Sequence, residues 1–236
     1  MIEFDVRHYA SVGSTNDEAQ RLAAEGAPHG TVVVADEQTA GRGRFSRRWV
    51  SPPGNLYLSI LLRLDLPPAR SVETGFLAAL AVADAVGAML PSQTRTILKW
   101  PNDVLVNDGK ISGILLERME DALILGIGVN VLIAPDGVPY RASTIVGCGG
   151  LATVDGTGAR LLSDLAAWLD VWQQDGFAPI RTAWLARAHP VGTLLRLMTG
   201  DRSVNGRFVD VAPDGALIID TDEGRARFVA GEVGIA

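Results

Sequence analysis

KWPNDVLVNDGKISGILLE, residues 99–117, carries the plan of the fold. The apolar runs TILKW, DVLVN and KISGILLERME are short and rich in β-branched residues, which predicts three strands. Asn107-Asp108-Gly109 is a tight-turn sequence and predicts a hairpin between the last two. Lys99 and Lys110 flank this hairpin, where both ammonium groups can reach one cleft, and Gly113 leaves room on the same face. The stretch is not a P-loop, because Ile111 follows Gly109-Lys110 and no strand–loop–helix context surrounds it. An edge hairpin with an exposed lysine would explain the pattern equally well.

Working outward, EFDVRHYASV alternates as a first strand. STNDEAQRLAAEG reads as a helix with Ser14 or Thr15 as N-cap, Glu18 closing a capping box and Gly26 as stop. TVVVADEQ, NLYLSILLRL and ALILGIGVNVLI read as further strands. SVETGFLAALAVADAVGAML is a long core helix ended by Pro91. Helical periodicity returns from Gly158 until Pro190 breaks it. The remainder is short strands with turns at Gly200-Asp201, Asn205-Gly206, Pro213-Asp214-Gly215 and Glu223-Gly224, which predicts a small barrel-like module. The expected class is α/β, a mixed sheet packed on helices over residues 1–189, with a small β domain over residues 190–236.

Composition narrows the function. Of 236 residues, 47% are hydrophobic, enough for a substantial core. A net charge of −6 disfavours DNA as a partner. Cys148 is the single cysteine, which excludes an internal disulfide and a cysteine-based zinc cluster. The amino terminus is charged and is not a signal peptide, and Asp84 interrupts the longest apolar run. A soluble cytoplasmic protein that does not enter membranes is expected.

Against that acidic background, GRGRFSRRW at residues 41–49 concentrates four arginines. Gly41 and Gly43 allow backbone amides to approach a ligand closely. Arg42, Arg44, Arg47 and Arg48 offer charge-assisted hydrogen bonds, and Trp49 offers a face for a nucleobase. The same repulsion among guanidinium groups predicts a loop that is mobile when empty and ordered by its ligands. STN at residues 14–16 reads on its own as a helix cap, and the glycines of GIGVN, residues 126–130, read as sites of close packing.

Taken together, STN, EQTAGRGRFSRRW, KWPNDVLVNDGKISGILLE and GIGVN, in this order and spacing, resemble the biotin protein ligases along nearly the whole chain. The resemblance implies a biotin/lipoate ligase-like catalytic domain followed by an SH3-like β-barrel. It implies a two-step reaction in which biotin and Mg-ATP give biotinyl-5′-AMP, and biotin then passes to a lysine of a biotin carboxyl carrier domain. By the same resemblance Ser14, Thr15, Asn16, Gln38, Gly41, Arg42, Gly43, Arg44, Lys110 and Gly113 hold biotin. Arg42, Arg44, Arg47, Trp49, Asn102, Lys110 and Asn130 face ATP. Lys110, Arg44 and Arg47 neutralise the reacting anions. Asp103 is a weaker candidate that reaches magnesium through water. No residue set resembles a protein metal cage, so the ion is expected with ATP.

Thirteen residues precede Ser14, so a monofunctional enzyme without repressor activity is expected; a homodimer stays open. Lipoate–protein ligases share the chemistry but lack the GRGR…W pattern. A biotin-sensing regulator would need an effector surface, and a nucleic-acid-binding module a basic one. His8, His29 and His189 are scattered, and Trp168, Trp172 and Trp184 sit at helical spacing as core residues.

Overall fold

A computed structural model describes residues 2–235. The chain enters through a βαβ unit: β1 (Asp5–Val12), α1 (Thr15–Ala24) and β2 (Thr31–Gln38), with the two strands parallel. Among the described residues, all later strand pairings are antiparallel. They run through β3 (Leu56–Leu62), β4 (Thr96–Lys99), β5 (Asp103–Val106), β6 (Gly109–Arg118) and β7 (Leu123–Val129) to give one mixed sheet in the order β1-β2-β3-β7-β6-β5-β4.

Both faces of this sheet are covered, which explains why β3 is largely apolar, with Ser59 the polar exception, and buried at every position. Leu56, Leu58 and Ile60 face a layer made by α2 (Ser71–Gly87), α3 (Val154–Asp175) and α4 (Phe177–Leu185). Leu61 faces the other way, onto Ala19, Leu22 and Ala23 of α1. The alanines and Gly75 of α2 permit close approach to the sheet; a Cβ at Gly75 would already touch Leu116 at 3.1 Å. Trp172 and Trp184 are buried in this core, and Trp168 donates to Asp84 at 2.8 Å.

Several local expectations change. Ser14 is the N-cap of α1 but makes no side-chain capping bond, and Glu18 pairs with Arg21 instead of closing a capping box. The orphan amide of Thr15 is met from outside the helix, by Gln38 Oε1 at 2.8 Å. Helix α2 ends at Gly87, ahead of Pro91, and α3 begins at Val154, capped by Thr153, which accepts from Gly156 at 3.1 Å.

The carboxy-terminal strands are β8 (Leu194–Thr199), β9 (Arg202–Val211), β10 (Leu217–Thr221), β11 (Gly224–Phe228) and β12 (Glu232–Ile235). They form a five-stranded antiparallel sheet in the order β11-β10-β9-β8-β12. Among the described residues β11 and β12 do not pair, so the module is an open sheet and not the closed barrel the turn spacing predicts. Asn205-Gly206 is likewise no turn. It lies inside β9, where a Cβ at Gly206 would sit 2.9 Å from the carbonyl of Asp220. No helix among the described residues is long and apolar enough to cross a membrane.

Candidate functional site

The β5–β6 hairpin turns through Asn107 and Asp108, both at positive φ, and brings Lys110 back beside Asp103. Asp103 is bracketed by two ammonium groups, Lys110 Nζ at 2.6 Å from Oδ1 and Lys99 Nζ at 2.8 Å from Oδ2. Burial pushes this carboxyl upward, but Lys110 and Lys99 outweigh it and hold it below the usual carboxylate range. Both of its oxygens are therefore engaged by lysines. Among the described residues no group of three or more His, Cys, Asp or Glu side chains is placed to hold a metal ion.

Above Lys110 lies a cavity of about 1090 Å³. Lys110 Nζ lies 5.2 Å from the ring centres of both Trp49 and Tyr140. Trp49 rests on the cross-strand pair Gly113 and Gly128 of β6 and β7. Its Nε1 is buried and has no hydrogen-bond partner among the described residues, a donor poised for an acceptor. Arg44 reaches the opposite wall, donating to the carbonyl of Gly231 at 3.0 Å and to Asn102 Oδ1 at 3.4 Å. Burial lowers its pKa, with Arg47 acting in the same sense against Asp103 and Glu232. Arg47 pairs with Glu232, so the start of β12 completes the cavity.

A second, polar cluster lies at the start of α1. Gln38 Oε1 accepts from Thr15 Oγ1 at 3.0 Å, and Gln38 Nε2 donates to Ser51 at 2.9 Å. Ser59 bridges Thr15 at 2.8 Å and Asn16 Oδ1 at 2.6 Å. Gly41 closes the cluster for a packing reason, since a Cβ there would stand 2.5 Å from the carbonyl of Trp49. Gly126 has the same role beneath Asn16, whose side-chain oxygen a Cβ would strike. Asn130 is buried; its amide donates to the carbonyl of Lys110 at 3.2 Å, and its Oδ1 has no partner among the described residues.

With this geometry in place, comparison with known proteins is decisive. Residues 9–133 match the Biotin/lipoate A/B protein ligase family, and residues 195–234 match the Biotin protein ligase C terminal domain. The chain is 40% identical over 235 residues to the biotin--[acetyl-CoA-carboxylase] ligase of Paracoccus denitrificans, covering 95% of this chain and 98% of that one. The chain belongs to the biotin protein ligase family. It is also 34% identical to the Mycobacterium tuberculosis biotin--[acetyl-CoA-carboxylase] ligase, over 95% of this chain and 86% of that one. Among solved structures, the biotin protein ligase of Aquifex aeolicus in complex with biotin and ATP superposes with a TM-score of 0.84. That match has 29% identity and covers 98% and 97% of the two chains.

The arginine loop joins the two clusters, but its own anchors differ from those the charge pattern suggests. The backbone closes through Gly43 N to Arg47 O at 2.7 Å and Trp49 N to Gly41 O at 2.9 Å. Arg42 pairs with Glu117 at 2.8 Å and also with Asp17. Arg44 and Arg47 have the partners given above, so Arg48 alone of the four lacks a side-chain hydrogen bond or ion pair among the described residues. Phe45 and Ser46 take positive φ, so the turn relies on two non-glycine residues in the left-handed region. Sequence reasoning missed Glu117, Tyr140 and Glu232. For Glu117 a signal existed, since it closes the decisive stretch on the face that Asn16 shares.

Proposed function

We propose that this chain activates biotin with Mg-ATP to biotinyl-5′-AMP and transfers the biotinyl group to a lysine of a biotin carboxyl carrier domain. The observation that carries the reading is Lys110, a lysine at the mouth of the hairpin, inside a cavity that also gathers Arg44, Arg47 and Trp49. A carboxylate and a triphosphate repel by about 4 kcal/mol per charge pair at 4 Å and an effective dielectric near 20. Three cations at one cavity offset that cost as the anions meet.

In the first step a biotin carboxylate oxygen forms a bond to the α-phosphorus, and the bond from that phosphorus to the bridging oxygen breaks, releasing pyrophosphate. Lys110 lies between the two anions; Arg44 and Arg47 exchange their present partners for phosphate oxygens. Trp49, Asn102 and Asn130 face the nucleotide, and the unpartnered Trp49 Nε1 and Asn130 Oδ1 supply one donor and one acceptor. Ser14, Thr15, Asn16, Gln38, Gly41, Arg42, Gly43 and Gly113 enclose biotin. In the second step the carrier amine, having lost its proton, attacks the acyl carbon and AMP leaves.

Magnesium enters with ATP; both Asp103 oxygens already meet lysine ammonium groups, and among the described residues no group of three or more His, Cys, Asp or Glu side chains is placed to hold the ion. Residues 1–189 form the catalytic unit and 190–236 the carboxy-terminal one. The net charge of −6 supports a ligase that does not use duplex DNA as a partner. The test is incubation of the purified protein with biotin, Mg-ATP and a biotin carboxyl carrier domain, read by intact-mass spectrometry. One biotinyl group on the carrier lysine is expected. An unmodified carrier, or lipoate accepted in place of biotin, would reject the reading.

A further inference from the structure

Glu117 lies in β6, beyond the end of its pairing with β5, and no role above is assigned to it. Its carboxylate gathers donors from two other segments of the chain. Oε2 accepts from Asn16 Nδ2 at 2.7 Å, from Gln20 Nε2 at 3.1 Å and from Arg42 Nη2 at 3.0 Å; Oε1 accepts from Arg42 Nη1 at 2.8 Å. An ionised carboxylate offers about four acceptor sites, and this one uses four. It therefore has little capacity left for a ligand and acts through the residues it holds. The Arg42 contact is two-pronged, the geometry that fixes a guanidinium in orientation as well as position.

We infer that Glu117 is the positioning residue of the biotin side, locking the arginine loop against the first two turns of α1. The inference rests on the ligase reading above for the identity of the ligand, but the locking itself does not. Asn16 and Arg42 come from different elements, and Glu117 is their shared partner. Arg42 also pairs directly with Asp17 of α1, so Glu117 adds the link to Asn16 and Gln20 and fixes the guanidinium from the β6 side. Ser59 fixes the far end of Asn16, so a shift in Glu117 is passed to its amide orientation. Of the residues expected on the nucleotide side, Glu117 holds Arg42 alone among the described contacts; Arg44, Arg47, Asn102 and Asn130 are held by other bonds.

The test compares Glu117→Gln and Glu117→Ala with the unchanged protein in biotin-dependent ATP–pyrophosphate exchange and in limited trypsin digestion. Glu117→Gln keeps the volume and one acceptor oxygen, so a role in packing alone would leave it unchanged. The expected result is a biotin KM raised about tenfold or more in both variants, the order of one lost charge-assisted hydrogen bond. The ATP KM should stay within about twofold, and cleavage after Arg42 should be faster in both variants. An unchanged biotin KM in Glu117→Gln, or equal rises for biotin and ATP, would overturn the inference. Were the unchanged protein itself to show no exchange, the ligase reading would fall, and the rate of cleavage after Arg42 would still decide whether Glu117 holds the loop.

Discussion

Trp49 and Gly128 are in a contact that admits no side chain at position 128: a Cβ there would lie 2.6 Å from the indole Nε1 and 2.7 Å from Cε2. The strand glycine is thus required by a tryptophan that comes from a loop about eighty residues earlier. Gly128→Ala must push the indole off the sheet. Overpacking of this kind costs about 1–3 kcal/mol, which lowers the melting temperature by roughly 2–12 °C. If the indole stacks on the nucleotide, as proposed, the ATP KM should rise about tenfold, the order of one lost stacking contact. Calorimetry and exchange kinetics on the same variant check both. An ATP KM equal to that of the unchanged protein would remove Trp49 from nucleotide binding.

Lys110→Ala should lower kcat for adenylate formation by about two to three orders of magnitude, as loss of one transition-state cation does. Biotin affinity should change much less, since the interaction is made mainly as charge meets charge. The fold should persist, because Asp103 keeps Lys99 at 2.8 Å. Single-turnover rates at saturating biotin and ATP measure this directly, and a near-normal rate would take Lys110 out of the mechanism.

Asp103 sets a pH dependence. Its folded pKa is depressed, with the upward push of burial outweighed by Lys110 and Lys99, so its contribution to stability is present above the unfolded value of about 3.9. That contribution is lost as pH falls through the lower, folded value. Asp103→Asn leaves two ammonium groups facing one another without a carboxylate, at a cost of about 3–5 kcal/mol near neutral pH. The deficit relative to the unchanged protein should shrink steadily below about pH 4. Urea unfolding at a series of pH values would show it, and a deficit constant from neutral to strongly acid conditions would contradict the ion-pair account.

The strands and helices were legible because their apolar residues recur with a clear period and their breakers are Gly, Pro and Asn-Asp-Gly. Two kinds of feature were not. Whether the last strands close into a barrel depends on a β11–β12 pairing that turn spacing does not encode, and that pairing is missing among the described residues. The partners of the arginine loop come from α1, β6 and β12, and nothing local in GRGRFSRRW names Asp17, Glu117 or Glu232. The glycines of GIGVN were correctly read as places of close approach, but which side chains approach, Asn16 and Trp49, is tertiary information.

Those loop partners sharpen the expectation of ligand-ordered mobility. Arg42, Arg44 and Arg47 have partners within the protein, and exposed Arg48 has none among the described residues. Trypsin should therefore cut the ligand-free protein first after Arg48, and biotin with ATP should strongly slow that cut by closing the loop. Mass spectrometry of the earliest fragments gives the site. A first cut after Arg44 or Arg47, or the same rate with and without ligands, would contradict the described anchoring.

The central claim, that the cavity around Lys110 joins a biotin carboxylate to the α-phosphate of ATP, is tested most directly by exchange of labelled pyrophosphate into ATP. The purified protein with Mg-ATP should catalyse exchange only when biotin is added, and Lys110→Ala should lose that exchange. No biotin-stimulated exchange by the unchanged protein, or undiminished exchange by Lys110→Ala, would contradict the account.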